Sequence, residues 1–181
     1  MTIAIFVFAS AFILYVLFLH PAIRAYRRYR GQMLVLCPET QQTTGVQVNA
    51  VQAAISATVE KPDIRLAMCS RWPERFGCGQ PCLQQMEAFP EDFLVRTILA
   101  DWYGDRSCVI CGKEFETVES YDHRAVFWYD KKPVLISPEG ELVEWHEVPA
   151  ERLPAMLTTH RPICRDCRDA GTVRLSKDLD G

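Results

Sequence analysis

Residues 3–19 read IAIFVFASAFILYVLFL, seventeen consecutive residues with no charged side chain and with Ser10 as their only aliphatic hydroxyl. At a rise of 1.5 Å per residue, the apolar stretch from Met1 to about Ala22 is long enough to cross a hydrocarbon layer of roughly 30 Å. The rest of the chain is of a different kind. All eight cysteines and all 43 charged residues of this 181-residue sequence lie beyond position 20. The composition therefore argues against a simple soluble globule and for a membrane segment joined to a water-soluble body. About 150 residues remain for that body, enough for one ordinary domain or two small ones.

The flanks of the apolar stretch give it a direction. No Lys or Arg precedes it, whereas Arg24, Arg27, Arg28 and Arg30 follow at once, with Tyr26 and Tyr29 placed for the headgroup level. By the excess of cationic residues on the cytoplasmic side, the expected localisation is a bacterial-type inner (plasma) membrane, spanned once, with the body in the cytoplasm. A cleaved signal peptide needs a basic start, a shorter apolar region and a small-residue cleavage site, and these are not seen. A signal-like segment and a core helix are the competing readings. Beyond the four arginines the chain carries 16 basic and 23 acidic side chains, a net of −7. That balance argues against a nucleic-acid partner. The arginine collar itself suits anionic lipid.

Within the body, residues 33–36 form a short apolar run that ends at Cys37-Pro38, and alternation at Val46-Gln-Val48 and again at residues 63–68 reads as strand. Residues 51–59 fit helix or strand equally. A loop rich in Gly, Pro and Arg covers residues 70–81. Residues 82–89 and 91–103 are expected to be helical, since Phe93, Leu94, Ile98 and Trp102 recur near the helical period and Pro90 with its following acidic residues suits a helix start. Gly104 ends that segment. Residues 118–129 and 134–145 are rich in β-branched and aromatic residues, and Ser137-Pro-Glu-Gly140 is a turn inside the second run. The expected division is 1–30 for anchor and collar, 31–104 for a cysteine-containing α+β segment, and 105–181 for a zinc module.

The module is expected from two matched pairs, Cys108-Val-Ile-Cys111-Gly-Lys113 and Cys164-Arg-Asp-Cys167. Two residues between cysteines let one tight turn aim both sulfurs at a single ion, and four thiolates from two such pairs are what tetrahedral Zn²⁺ takes in a closed structural site. Disulfides or ordinary buried thiols are the plainer alternatives, and a reducing cytoplasm disfavours the first of them. The sequence CxxCGK, then hairpin material, then a CxxC opening a short helix over Arg168–Leu175, resembles the treble-clef group of zinc modules across residues 107–175. The spacer of 52 residues between the pairs is longer than in compact members of that group. An Fe–S cluster could use the same four sulfurs, but the knuckle pattern favours zinc.

The other four cysteines are Cys37, Cys69, Cys78 and Cys82. Cys78-Gly-Gln-Pro-Cys82 stands at an expected helix start, and Cys69 and Cys37 each end a strand-like run. These positions permit a second four-cysteine site without requiring it, and reactive thiols, buried thiols and disulfides stay open beside it. With metal bound, each four-thiolate site carries a formal −2, which Lys113, Arg165 and Arg168 would offset at the first and Arg71 and Arg75 at the second.

Asp122-His123, downstream of the CxxCGK knuckle and upstream of the second CxxC, looks like the arrangement in HNH endonucleases, which are themselves treble-clef proteins. That resemblance implies a general-base role for His123 and a metal-ligand role for Asp122. The last histidine of the family pattern is missing, because position 168 is Arg, and His160 and His146 could replace it only from elsewhere in the chain. His160 is otherwise a polar neighbour of the Cys164 pair. No phosphate-binding glycine loop, nucleophile elbow or haem motif occurs, and no small-molecule substrate is evident. The expected protein is thus α+β behind a single transmembrane helix, with membrane lipid and another membrane or cytoplasmic protein as partners. Its expected role is that of a zinc-bearing interaction or assembly module, with an Fe–S or thiol redox protein as alternative and a degenerate HNH-type nuclease third.

Overall fold

The computed structural model describes residues 2–72, 74, 75, 77–115 and 134–170. They form a mixed helix and sheet structure that divides into two compact units, Met1–Leu94 and Val95–Gly181.

The first unit opens with a continuous apolar helix. Helix α1 (Thr2–Leu14) passes through a wider π-helical turn, Tyr15–Leu19, into α2 (His20–Tyr29). The wide turn has a cause in Pro21, which lacks the N–H that an α-helix would send back four residues and whose ring crowds the carbonyl there. The His20 N–H instead bonds the Tyr15 carbonyl, five residues back. Ser10 Oγ donates to the Val7 carbonyl at 2.9 Å, so the lone hydroxyl is satisfied within its own helix. The stretch Ala4–Tyr29 is the one helix among the described residues long and apolar enough to cross a membrane, and no residue of its apolar window is buried against the rest of the chain.

α2 changes character. Ala25 and Tyr29 are buried on one face, and Arg28 turns to the body: its Nε lies 2.8 Å from a Glu91 carboxylate oxygen and its Nη2 donates to the Ala88 carbonyl at 2.7 Å. The arginine cluster that follows the apolar helix is therefore tied in part to the body. One of its four arginines fastens the helix to residues 88–91.

Gly31, at φ +119°, turns the chain from α2 into an antiparallel meander of β1 (Gln32–Leu36), β2 (Thr43–Val48) and β3 (Leu66–Cys69). Register pairs Met33 with Val46 and Val35 with Thr44, and then Val46 with Cys69. The stretch 51–59, whose sequence fits either helix or strand, opens as helix, α3 (Ala50–Ser56). Asn49 decides it, because its side chain accepts the Gln52 N–H at 3.0 Å and caps the first turn. Ala53 is fully buried, and Met33, Val46, Leu66, Met86 and Leu94 close the core beneath.

Two expected helices are shorter than their sequence pattern implies. Residues 82–89 form a 3₁₀ turn, Pro81–Met86, and residues 91–103 begin as a second 3₁₀ turn, Pro90–Phe93. The α-helix proper, α4 (Val95–Gly104), starts only after Leu94, whose extended backbone makes an antiparallel bridge to Met33. Tertiary pairing has overridden the helical period there.

The second unit packs α4 through Val95, Leu99, Ala100 and Tyr103, and Trp102 Nε1 donates to the Leu157 carbonyl at 2.9 Å. Its small sheet has the order β5 (Leu142–Val143), β4 (Val134–Ile136), β6 (Arg161–Ile163). The Ser137–Gly140 turn closes β4 onto β5 as its residues imply, with the Gly140 N–H on the Ser137 carbonyl at 3.0 Å. α5 (Leu153–Thr159) leads into β6, and α6 (Arg165–Asp169) follows it. The short helix thus begins at Arg165, one turn earlier than the sequence suggests, because Cys164 stands at its N-cap. The strand reading of residues 118–129, and with it Asp122 and His123, lies outside the described residues, as do residues 171–181.

Candidate metal centre

Cys108, Cys111, Cys164 and Cys167 come together, their four sulfurs all within 4.8 Å of one another. Local geometry at the first pair is a tight knuckle. The Cys108 N–H bonds the Lys113 carbonyl at 2.8 Å, the Gly112 N–H bonds the Cys108 carbonyl at 2.8 Å, and Ser107 bridges Glu114. Gly112 takes φ +70°, the left-handed conformation that closes such a turn and that a side chain resists. β6 supplies the second pair: Ile163 is fully buried, and Cys164 leaves the strand at the point where α6 begins. A backbone bond joins the two halves, from the Val109 N–H to the Pro162 carbonyl at 3.0 Å. The spacer of 52 residues thus does not keep the pairs apart.

Charge explains why these thiols suit a cation. Burial acts against a Cys108 thiolate, yet the backbone N–H groups of Cys164, Cys111 and Ile110 donate to it and bring its pKa down to about 6. The Cys164 N–H lies 3.3 Å from that sulfur. Cys167 is pushed far up, first by burial and then by the sulfurs of Cys164, Cys111 and Cys108, and Cys164 is raised by burial. Four ionised sulfurs at this spacing repel one another and need a positive ion among them. The donor set therefore fits a thiophilic metal such as zinc. Cys111 and Cys164 sulfurs are 3.6 Å apart, close to the edge length of a tetrahedron whose metal–sulfur bonds are about 2.3 Å.

The cations expected to offset the site's charge are each engaged by carboxylates. Lys113 faces Asp166 at 3.9 Å, Arg165 faces Asp169 at 3.2 Å, and Arg168 bonds Asp169 at 2.8 Å and Glu144 at 3.4 Å. Neither candidate histidine belongs to the sulfur group. His160 Nδ1 meets Thr159 Oγ1 at 2.8 Å, and His146 Nε2 lies 3.3 Å from Glu144.

The remaining cysteines behave differently. Among the described residues no second group has ligand atoms so close together, but Cys37, Cys69, Cys78 and Cys82 all line one pocket of the first unit, with Arg71 and Arg75. Cys37 follows β1 directly, in a turn where the Gln41 N–H bonds its carbonyl at 2.8 Å. The Thr40 hydroxyl lowers the Cys37 pKa against the opposing effect of burial, and backbone N–H groups and Arg71 add to the lowering. Arg71 Nη1 lies 3.7 Å from the Cys37 sulfur and also donates to Thr40 Oγ1. Cys82, buried in the Pro81–Met86 turn, is pushed up to about 11 by burial and then by the nearby Cys69, Cys78 and Cys37.

Two glutamines hold this region in place. Gln85 bonds both backbone groups of Leu36, donating to the carbonyl at 2.6 Å and accepting the N–H at 3.3 Å, and Gln80 accepts the Leu66 N–H at 3.0 Å. Each glutamine thus imitates a neighbouring strand along the sheet edge. Gln80 lies inside the Cys-x₃-Cys motif and Gln85 just after it, and a glutamine in either place carries no sequence signal for such a role.

No family model matches the chain, and no curated protein and no solved structure shows significant similarity to it. Function must therefore be argued from the two features that stand out physically: a four-cysteine group able to hold a metal ion and a long apolar N-terminal helix.

Proposed function

We propose that the protein is a single-pass membrane protein that holds a treble-clef-like zinc module in the cytoplasm and serves there as a protein-interaction or assembly module. The four-sulfur group of Cys108, Cys111, Cys164 and Cys167 carries the reading, since a closed all-cysteine shell leaves no position for substrate and suits a structural ion. A knuckle over residues 107–114, a small sheet and a helix starting at the second pair support the treble-clef likeness. Zinc there adds folding free energy to a small core of Cys108, Ile136, Ile163 and Cys164. The exposed apolar helix followed by arginines supports anchoring, with the body on the cytoplasmic side. Membrane lipid and a second protein are the partners this reading supplies.

The test is metal analysis of the purified full chain together with its absorption spectrum and a topology reporter at its C-terminus. Colourless protein with bound zinc, extracted only by detergent and with a cytoplasmic reporter, is the expected result. Brown protein containing iron and sulfide would overturn the zinc reading in favour of an Fe–S redox protein, and recovery in the soluble fraction would overturn the anchor.

A further inference from the structure

The first unit carries four thiols, Cys37, Cys69, Cys78 and Cys82, that the proposed function does not use. They come from four separate places in its fold: the end of β1, the end of β3, the loop before residue 80, and the Pro81–Met86 turn. All four nevertheless line the same pocket. Its walls also include the apolar Val35, Val46 and Leu66 of the sheet, together with Thr44 and Glu39. The cavity measures about 30 Å³, too small for an organic substrate and sufficient for an ion. Two guanidinium groups line it as well. Arg71 approaches the Cys37 sulfur and also faces Glu74 at 3.9 Å, and Arg75 faces Glu39 at 3.8 Å.

We propose that Cys37, Cys69, Cys78 and Cys82 form a second metal site, taking a thiophilic divalent cation such as zinc. Binding draws the four sulfurs into one tetrahedral shell: four S–H bonds break, four metal–sulfur bonds form, four protons pass to solvent, and no electrons move. The resulting charge of −2 meets Arg71 and Arg75 at the pocket wall. Gln80 and Gln85 fix the segment bearing Cys78 and Cys82 against the sheet edges, so the site rests on the meander and not on a free loop. Four thiols on one apolar-walled pocket with two cations beside them are a costly arrangement for bystanders. Buried thiols and disulfides are uncharged and need neither arginine.

The proposal stands independently of the centre at Cys108, and one experiment separates them. Full-length protein is purified in detergent from zinc-replete cells, and its metal content is measured for the wild type, Cys37→Ser, Cys78→Ser and Cys111→Ser. Two zincs per chain are expected in the wild type, falling to one in each variant. A single zinc that Cys111→Ser removes and Cys37→Ser leaves would overturn the second site while leaving the first intact, and no zinc at all would overturn both. Alkylation of the wild type keeps the result readable where a variant fails to fold. With two sites filled, all eight thiols resist until chelator is added. Four that alkylate at once, at positions 37, 69, 78 and 82, or a disulfide within that set, would sink the proposal.

Discussion

The two cysteine groups contain the same four side chains and are held by different means. At Cys108, Cys111, Cys164 and Cys167 the backbone does the positioning. A glycine-closed knuckle, one clasp from Val109 to Pro162 and a helix start bring every sulfur within 4.8 Å of the others. At Cys37, Cys69, Cys78 and Cys82 each cysteine sits in its own turn or strand, and it is side chains, those of Gln80, Gln85 and Arg71, that join these segments to one another. Backbone bonds within a short motif are encoded by the motif itself. Side-chain supports depend on the rest of the fold being in place, which is why the second group is lined up around a pocket without being gathered as tightly.

That contrast can be broken most forcefully at the first group. Cys164→Ser removes a sulfur at the junction of strand and helix, and structural zinc is worth about 10–16 kcal/mol in small zinc-dependent folds. The expected outcome is loss of zinc and rapid proteolysis beyond residue 95 in the full chain. Retained protease resistance would show that the apolar contacts suffice alone. Chelation of the wild type should reproduce the same cleavage pattern.

A milder perturbation tests whether backbone conformation sets the first group. Gly112 has φ +70° and open space where a Cβ would stand, so Gly112→Ala introduces conformational strain with no steric clash. It should cost about 1–2 kcal/mol, seen as weaker zinc retention against a competing chelator. An unchanged retention would mean that the knuckle tolerates another turn.

The corresponding test on the other side is Gln85→Ala, which strips two hydrogen bonds from Leu36. A loss of about 1 kcal/mol per bond is expected in the first unit, with faster alkylation of Cys82 and no change at Cys108. Faster alkylation of both groups would erase the distinction drawn between them.

Smallest should be Arg28→Ala. Its pair with Glu91 is about one-third exposed on each side, so the expected cost is at most about 1 kcal/mol and should shrink in high salt. A larger effect, insensitive to salt, would assign Arg28 a packing role instead.

Much of this was legible before any coordinates. The apolar helix, the turn at Ser137–Gly140 and each of the two CxxC pairs follow from short patterns whose spacing is itself the geometric constraint. Residues 81–94 were not legible, because Phe93, Leu94 and Ile98 carry a helical period while Leu94 is committed to a bridge with Met33, about sixty residues away along the chain. Nor could the undecided stretch at 51–59 be assigned from periodicity, though Asn49 just before it carries the cap that resolves it.

The sequence by itself determined where the hydrophobic helix lies and which cysteines pair by spacing, since both are properties of neighbouring residues. Only the tertiary structure decided that two pairs 52 residues apart share one cluster, that Arg28 leaves the collar to bind Glu91, and that four scattered thiols border one pocket. Those are long-range convergences. They come from burying Met33, Met86, Leu94 and Ile163 in closed cores, and no local pattern records where a buried side chain will find its neighbours.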